Sequence, residues 1–272
     1  MTARRLRPDT AGDDSVEART WVKVLGARVD VLWMDEVITR IGGYISEGRP
    51  RQVITVNAEL LYRAQREREL LDLINQADLV TADGIGVVWA ARTLGTPVSE
   101  KVSGIDMIQI MAPTAAEKGW RLFLLGSAPG TAEAAAERLS RLAPGINIVG
   151  CHHGYFKPGP EEEELLKMIE EKSPDLLLVA LGAPRQDYWI RDHLVGGRLR
   201  VPVSMGIGGS LDVLSGKVKR APRWMSKTGM EWIWRLIQEP WRYKRMSVLP
   251  LFVLLVIRIK RKQEKSKGKM LK

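Results

Sequence analysis

Residues 121–149 read RLFLLGSAPGTAEAAAERLSRLAPGINIV. Arg121 to Leu125 is an apolar run of strand length, and a turn bearing glycine and proline follows it. Thr131 to Leu142 then carries apolar residues at helical spacing, with Thr131 placed to cap the helix, and Ile146 to Val149 is a second short apolar run. A strand, a helix and a strand joined by short links require a crossover, so the two strands run parallel.

The same alternation extends in both directions. Strand-like runs lie at Val22 to Leu25, Gln52 to Thr55, Leu79 to Thr81, Asp175 to Leu181 and Val201 to Met205. Helical patterns lie between them at Asp35 to Ser46, Glu59 to Ile74, Ile85 to Leu94, Ile105 to Lys118, Glu161 to Lys172 and Gln186 to Leu194. This order predicts an α/β fold built on a largely parallel sheet with helices on both faces.

The chain of 272 residues is long enough for a sizeable core, and 45% hydrophobic with 27% charged residues excludes collagenous, disulfide-rich and wholly disordered classes. A single cysteine, Cys151, excludes an internal disulfide and a four-cysteine zinc site, and it suits a reducing compartment. Residues 1–20 carry charge without an apolar run and are expected to form a flexible leader.

Charge divides the chain. Lys217 to Lys272 holds 17 basic and 3 acidic residues, whereas the preceding part is mildly acidic. The basic part also contains Trp224, Trp232, Trp234, Trp241 and an apolar segment, Val248 to Ile257. Nucleic-acid-binding tails seldom carry so much apolar surface, so no nucleic acid is expected as partner. The longest charge-free run of this basic part, Met246 to Ile257, is 12 residues and contains Pro250, too short to span a bilayer. Basic, aromatic and aliphatic residues side by side compose an interfacial segment held by anionic lipid. The expected organisation is a core over 21–216, a membrane-associating appendage over 217–259 and a disordered basic tail over 260–272. Packing of the tail onto a partner chain, including a homo-oligomer, is the competing expectation.

Ligands of open parallel sheets sit outside the carboxyl ends of the strands, so the turns there carry the candidate chemistry. They are Thr55-Val56-Asn57-Ala58-Glu59, Asp83-Gly84-Ile85-Gly86, Leu181-Gly182-Ala183-Pro184-Arg185-Gln186 and Met205-Gly206-Ile207-Gly208-Gly209-Ser210. Glycines there would let backbone approach a phosphate, but tight strand-to-helix turns need glycine in any case. Neither the full dinucleotide fingerprint nor the P-loop signature is present. Asp83 stands where a general base could take a hydroxyl proton, or where a helix cap would sit. His152 and His153 lack carboxylates at metal-ligand spacing, and no Asp-x-Asp pair exists to clamp a divalent ion on a nucleotide diphosphate. A pyrophosphate would have to be met by lysine and arginine.

Taken together, the motifs resemble the WecG/TagA/CpsF family of glycosyltransferases. They run in order from Thr55-x-Asn57-x-Glu59 and Asp83-Gly84-x-Gly86 through Lys101-Val102-x-Gly104-x-Asp106 and Gly150-x-x-x-Gly154-Tyr155-Phe156. Leu181-Gly182-Ala183-Pro184-Arg185-Gln186-Asp187-x-Trp189, Gly206-x-Gly208-Gly209-x-x-Asp212 and Lys219-Arg220-Ala221-Pro222 continue the series to Glu231-Trp232-x-x-Arg235-Leu236-x-x-Glu239-Pro240-x-Arg242. The resemblance covers about Trp21 to Ile257 and is greatest to the N-acetylmannosaminyltransferases of wall teichoic acid linkage-unit synthesis.

The resemblance implies a Rossmann-like core and an inverting, metal-independent transfer of N-acetylmannosamine. The donor would be UDP-N-acetylmannosamine and the acceptor the 4-hydroxyl of N-acetylglucosamine on undecaprenyl diphosphate, a polyprenyl-diphosphate-linked sugar at the cytoplasmic face of the membrane. It places Asp83 on the catalytic base and Thr55, Asn57 and Gln186 on polar substrate-site positions, with Asp212 at the same rim. Thr55 is taken with Asp83 as catalytic, and no cofactor is implied. Where the family usually has arginine, this chain has Lys101, which neutralises phosphate without a bidentate fork. Arg235, Arg242 and Arg245 are further candidates, expected to reach the site and stabilise the departing diphosphate, against a reading in which they touch lipid headgroups. Arg242 and Arg245 would share one face of a helix beginning near Pro240. Rival functions are a sibling transferase using UDP-N-acetylmannosaminuronic acid or UDP-glucose, and a non-catalytic nucleotide-sugar-binding membrane scaffold.

Overall fold

Runs such as Leu122-Phe123-Leu124-Leu125 and Leu176-Leu177-Leu178-Val179 are apolar on both strand faces, and such strands are stable only where helices cover both sides of the sheet. The structure, a computed structural model, describes residues 21–222, 224–225, 230–240 and 243–270. Its main sheet has six parallel strands: β3 (Arg51–Val56), β4 (Leu79–Ala82), β5 (Arg121–Gly126), β6 (Asn147–His152), β7 (Leu176–Ala180) and β8 (Val203–Gly206). Their order is β4-β3-β8-β7-β5-β6, every neighbouring pair parallel.

One face buries α1 (Met34–Glu47), α5 (Gly104–Glu117), α6 (Thr131–Leu142) and the short α9 (Ser210–Leu214). The other carries α2 (Ala58–Ala64), α3 (Arg68–Gln76) and α4 (Ile85–Leu94), with α7 (Pro160–Lys172) and α8 (Arg185–Val195) at a separate core cluster. The appendage contributes α10 (Glu231–Gln238), α11 (Tyr243–Met246) and α12 (Val248–Met270).

Several expectations are corrected. The first apolar run is a strand, as expected, but not of the main sheet: β1 (Trp21–Val24) turns at Leu25-Gly26 into β2 (Ala27–Asp30), a separate antiparallel hairpin. β2 escapes a reading of the sequence because it is four residues long and two of them are charged. It protects the sheet edge at β4, where Asp30 is buried and its Oδ2 accepts the Val80 N–H at 2.8 Å. The single helix expected over Glu59 to Ile74 is α2 and α3, separated by a break at Gln65 to Glu67. Gln65 leaves the helix at that break and donates to the Leu25 carbonyl at 2.7 Å. Thr131 does not cap α6: Gly130 does, and the Thr131 hydroxyl accepts from Lys217 Nζ.

The end of the chain departs most. Residues 260–270, expected to be disordered, continue α12, because a nucleated helix propagates cheaply through lysine, arginine and glutamine. Lys260 and Glu264 add an i,i+4 ion pair. One face of α12 is core: Phe252 and Val256 are fully buried in the cluster formed with α2 and α4. No helix among the described residues is long and apolar enough to cross a membrane.

Candidate active site

The order of strands brings the carboxyl ends of β3, β8 and β7 side by side in the middle of the sheet. A cavity of about 390 Å³ opens there, walled by the turns after β3, β4, β5, β7 and β8. Its remaining wall is the appendage, through Glu231, Trp232 and Arg235 of α10 with Met246 and Leu249.

Asp83 sits at the end of β4, where its N–H donates to the Val56 carbonyl at 2.8 Å and prolongs the pairing with β3. Gly84 follows with φ of 100°, a conformation that costs a side-chain-bearing residue dearly, and it is Gly84 that caps α4. No side chain makes a cap hydrogen bond there, so the capping alternative for Asp83 does not hold. The next segment returns to the same edge: Val102 N–H donates to the Ala82 carbonyl at 2.9 Å, which sets Lys101 beside Asp83. Asp83 lines the cavity. Burial pushes it up to about 6, opposed by the charges of Arg235 and Lys101 and reinforced by those of Glu231 and Asp106.

Asn57 caps α2, its Oδ1 accepting from Leu60 N at 2.8 Å, which leaves the amide nitrogen as the group it offers to the cavity. Thr55 lines the floor and donates its hydroxyl proton to the Gly206 carbonyl at 3.1 Å. Its oxygen remains available as an acceptor. Lys101 Nζ lies 3.7 Å from Asp106 and 3.6 Å from Glu231. Asp106 is itself held by Ser103 Oγ at 2.6 Å and by Arg220. Burial raises the Asp106 carboxyl, but these hydrogen bonds and the neighbouring cations prevail and it titrates below the usual range. Asp212 and Glu59 also line the cavity.

Gln186 departs from its expected place. It is 1% exposed, does not line the cavity, and accepts the Gly208 N–H at 3.0 Å. A side chain at position 206 would put its Cβ 2.6 Å from both Gln186 Nε2 and Asp187 Oδ1, so glycine is required for this close approach. Gln186 therefore shapes the Gly206 to Gly209 turn from beneath. Asp187 beside it is equally buried, and neither carboxylate oxygen meets a hydrogen-bond partner of good geometry. Burial pushes this carboxyl up to about 7, against smaller downward pulls from the Gln186 amide and its own backbone N–H. Arg185 turns away, its guanidinium 5.8 Å from the Phe156 ring centre.

Arg235 lines the cavity as anticipated. Arg242 lies outside the described residues, as does the side chain of Arg245; the backbone of Arg245 belongs to α11, which begins at Tyr243. Within the appendage, the Lys219 carbonyl accepts Trp234 Nε1 at 2.9 Å and Gln238 Nε2 at 2.8 Å, and Arg220 beside it reaches Asp106 of the core. Glu231 and Trp232 were not singled out as site residues in the sequence; the available signal was Glu231 one helical turn before Arg235. Among the described residues, no group of three or more His, Cys, Asp or Glu side chains could hold a metal ion, and His152 Nδ1 is paired with the His153 carbonyl at 2.7 Å.

The model of the glycosyl transferase WecG/TagA/CpsF family matches residues 22–266. The chain is 34% identical over 241 residues to a protein of Bacillus subtilis (strain 168), covering 88% of this chain and 87% of the relative. It is 34% identical over 248 residues to one of Staphylococcus aureus (strain MRSA252), covering 90% and 96%. A relative in Bacillus spizizenii (strain W23) is 33% identical over 222 residues, covering 82% and 84%. All three relatives bear the name N-acetylglucosaminyldiphosphoundecaprenol N-acetyl-beta-D-mannosaminyltransferase.

Proposed function

The chain belongs to the glycosyl transferase WecG/TagA/CpsF family, and from that premise we propose that it moves N-acetylmannosamine from UDP-N-acetylmannosamine to the 4-hydroxyl of N-acetylglucosaminyl-diphospho-undecaprenol, with inversion and without a metal ion. The observation that carries this reading is Asp83, a carboxyl pushed up to about 6 in a cavity that also offers Lys101 and Arg235.

Asp83 takes the proton of the acceptor hydroxyl as its oxygen bonds to the anomeric carbon. The bond from that carbon to the diphosphate oxygen breaks, and UDP departs with the electron pair. Attack from the side opposite the leaving group inverts the centre. Lys101 and Arg235 receive the charge that develops on the diphosphate, work that a divalent ion does in transferases with paired aspartates. Asn57 and Thr55 orient sugar or phosphate groups at the floor. Asp212 serves the same rim, and Gln186 holds the turn that carries it.

The lipid acceptor requires the enzyme to meet a membrane, and we assign that contact to the appendage at the cytoplasmic face. Trp232 at the cavity wall is exposed, as are Ile237, Tyr243, Leu251 and Leu254 elsewhere in the appendage, and the surrounding sequence is strongly basic. The purified chain, given a panel of UDP-sugars and a lipid diphosphate N-acetylglucosamine acceptor, should transfer N-acetylmannosamine and retain its activity in excess EDTA. Transfer of glucose or N-acetylmannosaminuronic acid instead would make it a sibling enzyme. Binding of UDP-sugar without transfer would make it a scaffold, and activity lost to EDTA and restored by magnesium would overturn the metal-independent mechanism.

A further inference from the structure

Glu231 faces the cavity from the first turn of α10, and its carboxylate has one ion pair among the described residues, to Lys101 at 3.6 Å. Lys101 is at the same time 3.7 Å from Asp106, so one ammonium serves two carboxylates. The two are not equally dependent on it. Asp106 also receives Ser103 Oγ and Arg220, and it would remain satisfied if Lys101 turned elsewhere. Glu231 would lose its ion pair. Both Lys101 and Glu231 keep roughly a quarter of their side-chain surface open, so the pair is accessible to an entering ligand.

A diphosphate entering this site needs Lys101 and carries more negative charge than a carboxylate. We infer that Glu231 is a positioning residue that occupies the diphosphate subsite on Lys101 while the donor is absent and yields it when the donor enters. The exchange is anion for anion, so Lys101 keeps a second anionic partner beside Asp106 whether or not the donor is bound. It also joins donor binding to the appendage, because Arg235 lies one turn along the same helix.

The inference rests on the donor reading above, and its test separates the two. Binding of UDP and of inorganic pyrophosphate to the full chain is measured by calorimetry for the wild type, Glu231→Gln, Glu231→Asp, Lys101→Ala and the Glu231→Gln/Lys101→Ala double variant. Removing the competing carboxylate should tighten UDP binding about fivefold. Glu231→Asp, which keeps the charge, should stay near the wild type, and Glu231→Gln should change nothing in the Lys101→Ala background. The pH profile of kcat/KM gives a second readout. The groups facing Asp83 are Arg235, Lys101, Glu231 and Asp106, and loss of one of the two carboxylates should move the acid limb to lower pH. UDP bound equally well or less well by Glu231→Gln overturns the exchange and leaves the donor site intact, as does tightening that persists without Lys101. Failure of every variant and the wild type to bind UDP overturns the donor reading and the exchange with it.

Discussion

Replacing Asp83 by asparagine separates its chemical role from its structural cost, because the two move in opposite directions. The carboxyl titrates near 6 in the fold against 3.8 for a free aspartate, a gap worth at most about 3 kcal/mol in favour of the protonated native state. Water in the cavity screens part of this, leaving about 1–2 kcal/mol. The sign follows from the raised value. The folded protein is penalised for ionised Asp83 at every pH above about 6, and the penalty fades as pH falls from 6 towards 4. Asparagine keeps the size and cannot ionise, so at pH 8 the variant should be the more stable, melting roughly 3–6 °C higher for a chain of this size. The gain should shrink on acidification. Turnover should fall by about 100-fold or more, since asparagine cannot take the acceptor proton. In the wild type, the rate should rise with pH through about 6. Thermal melts at pH 8 and pH 5, beside a transfer assay with a soluble acceptor, decide the matter. A variant that retains turnover within a few-fold, or that melts lower than the wild type at pH 8, would refute the assignment.

Phe252→Ala should lower stability by about 3–5 kcal/mol in the absence of any lipid, because its ring is buried against α2 and α4; Leu254→Ala, at an exposed position on the same helix, should leave the melt unchanged while weakening binding to anionic liposomes. A melt unaltered by Phe252→Ala would restore the picture of a tail that serves only the membrane. Asp187→Asn should stabilise the protein at alkaline pH, the gain over the wild type growing by roughly 2–3 kcal/mol from pH 5 and levelling off above about 7, because over that range the unfolded carboxyl is ionised while the buried one stays protonated; a pH-independent difference would contradict that value.

The parallel sheet was legible in the sequence because its strands are apolar throughout and the helices between them keep a regular period. Helix bounds came within a residue or two wherever the period was unbroken, as over Thr131 to Leu142. What stayed hidden depended on contacts distant in sequence. Ala27 to Asp30 becomes a strand through its partner β1, and Asp30 is buried because it satisfies a strand edge fifty residues on. Within the candidate site, Asp83 and Asn57 reach the cavity from strand ends, whereas Lys101 reaches it from the loop before α5 and Asp212 from α9. Gln186 does not, because the first turn of α8 lies under the Gly206 turn. A rim position in sequence cannot distinguish a side chain that faces the ligand from one that supports the backbone facing it. The inward face of α12 was concealed by composition: Phe252 and Val256 are core residues within a stretch whose neighbours look amphipathic and basic.

Because the floor of the cavity comes from residues 55–212 and its roof from residues 231–249, the roof is translated after everything it covers. A ribosome that has delivered the sheet has delivered a donor pocket open to water, without Arg235 and without the helix that shields α2 and α4. Folding of the site is thereby ordered in time, with the appendage following the sheet. A chain cut short before α10 would lose a core face together with the wall that Arg235 supplies. Such a product would be recognised as misfolded and degraded, instead of persisting as a roofless transferase able to squander nucleotide sugar on water.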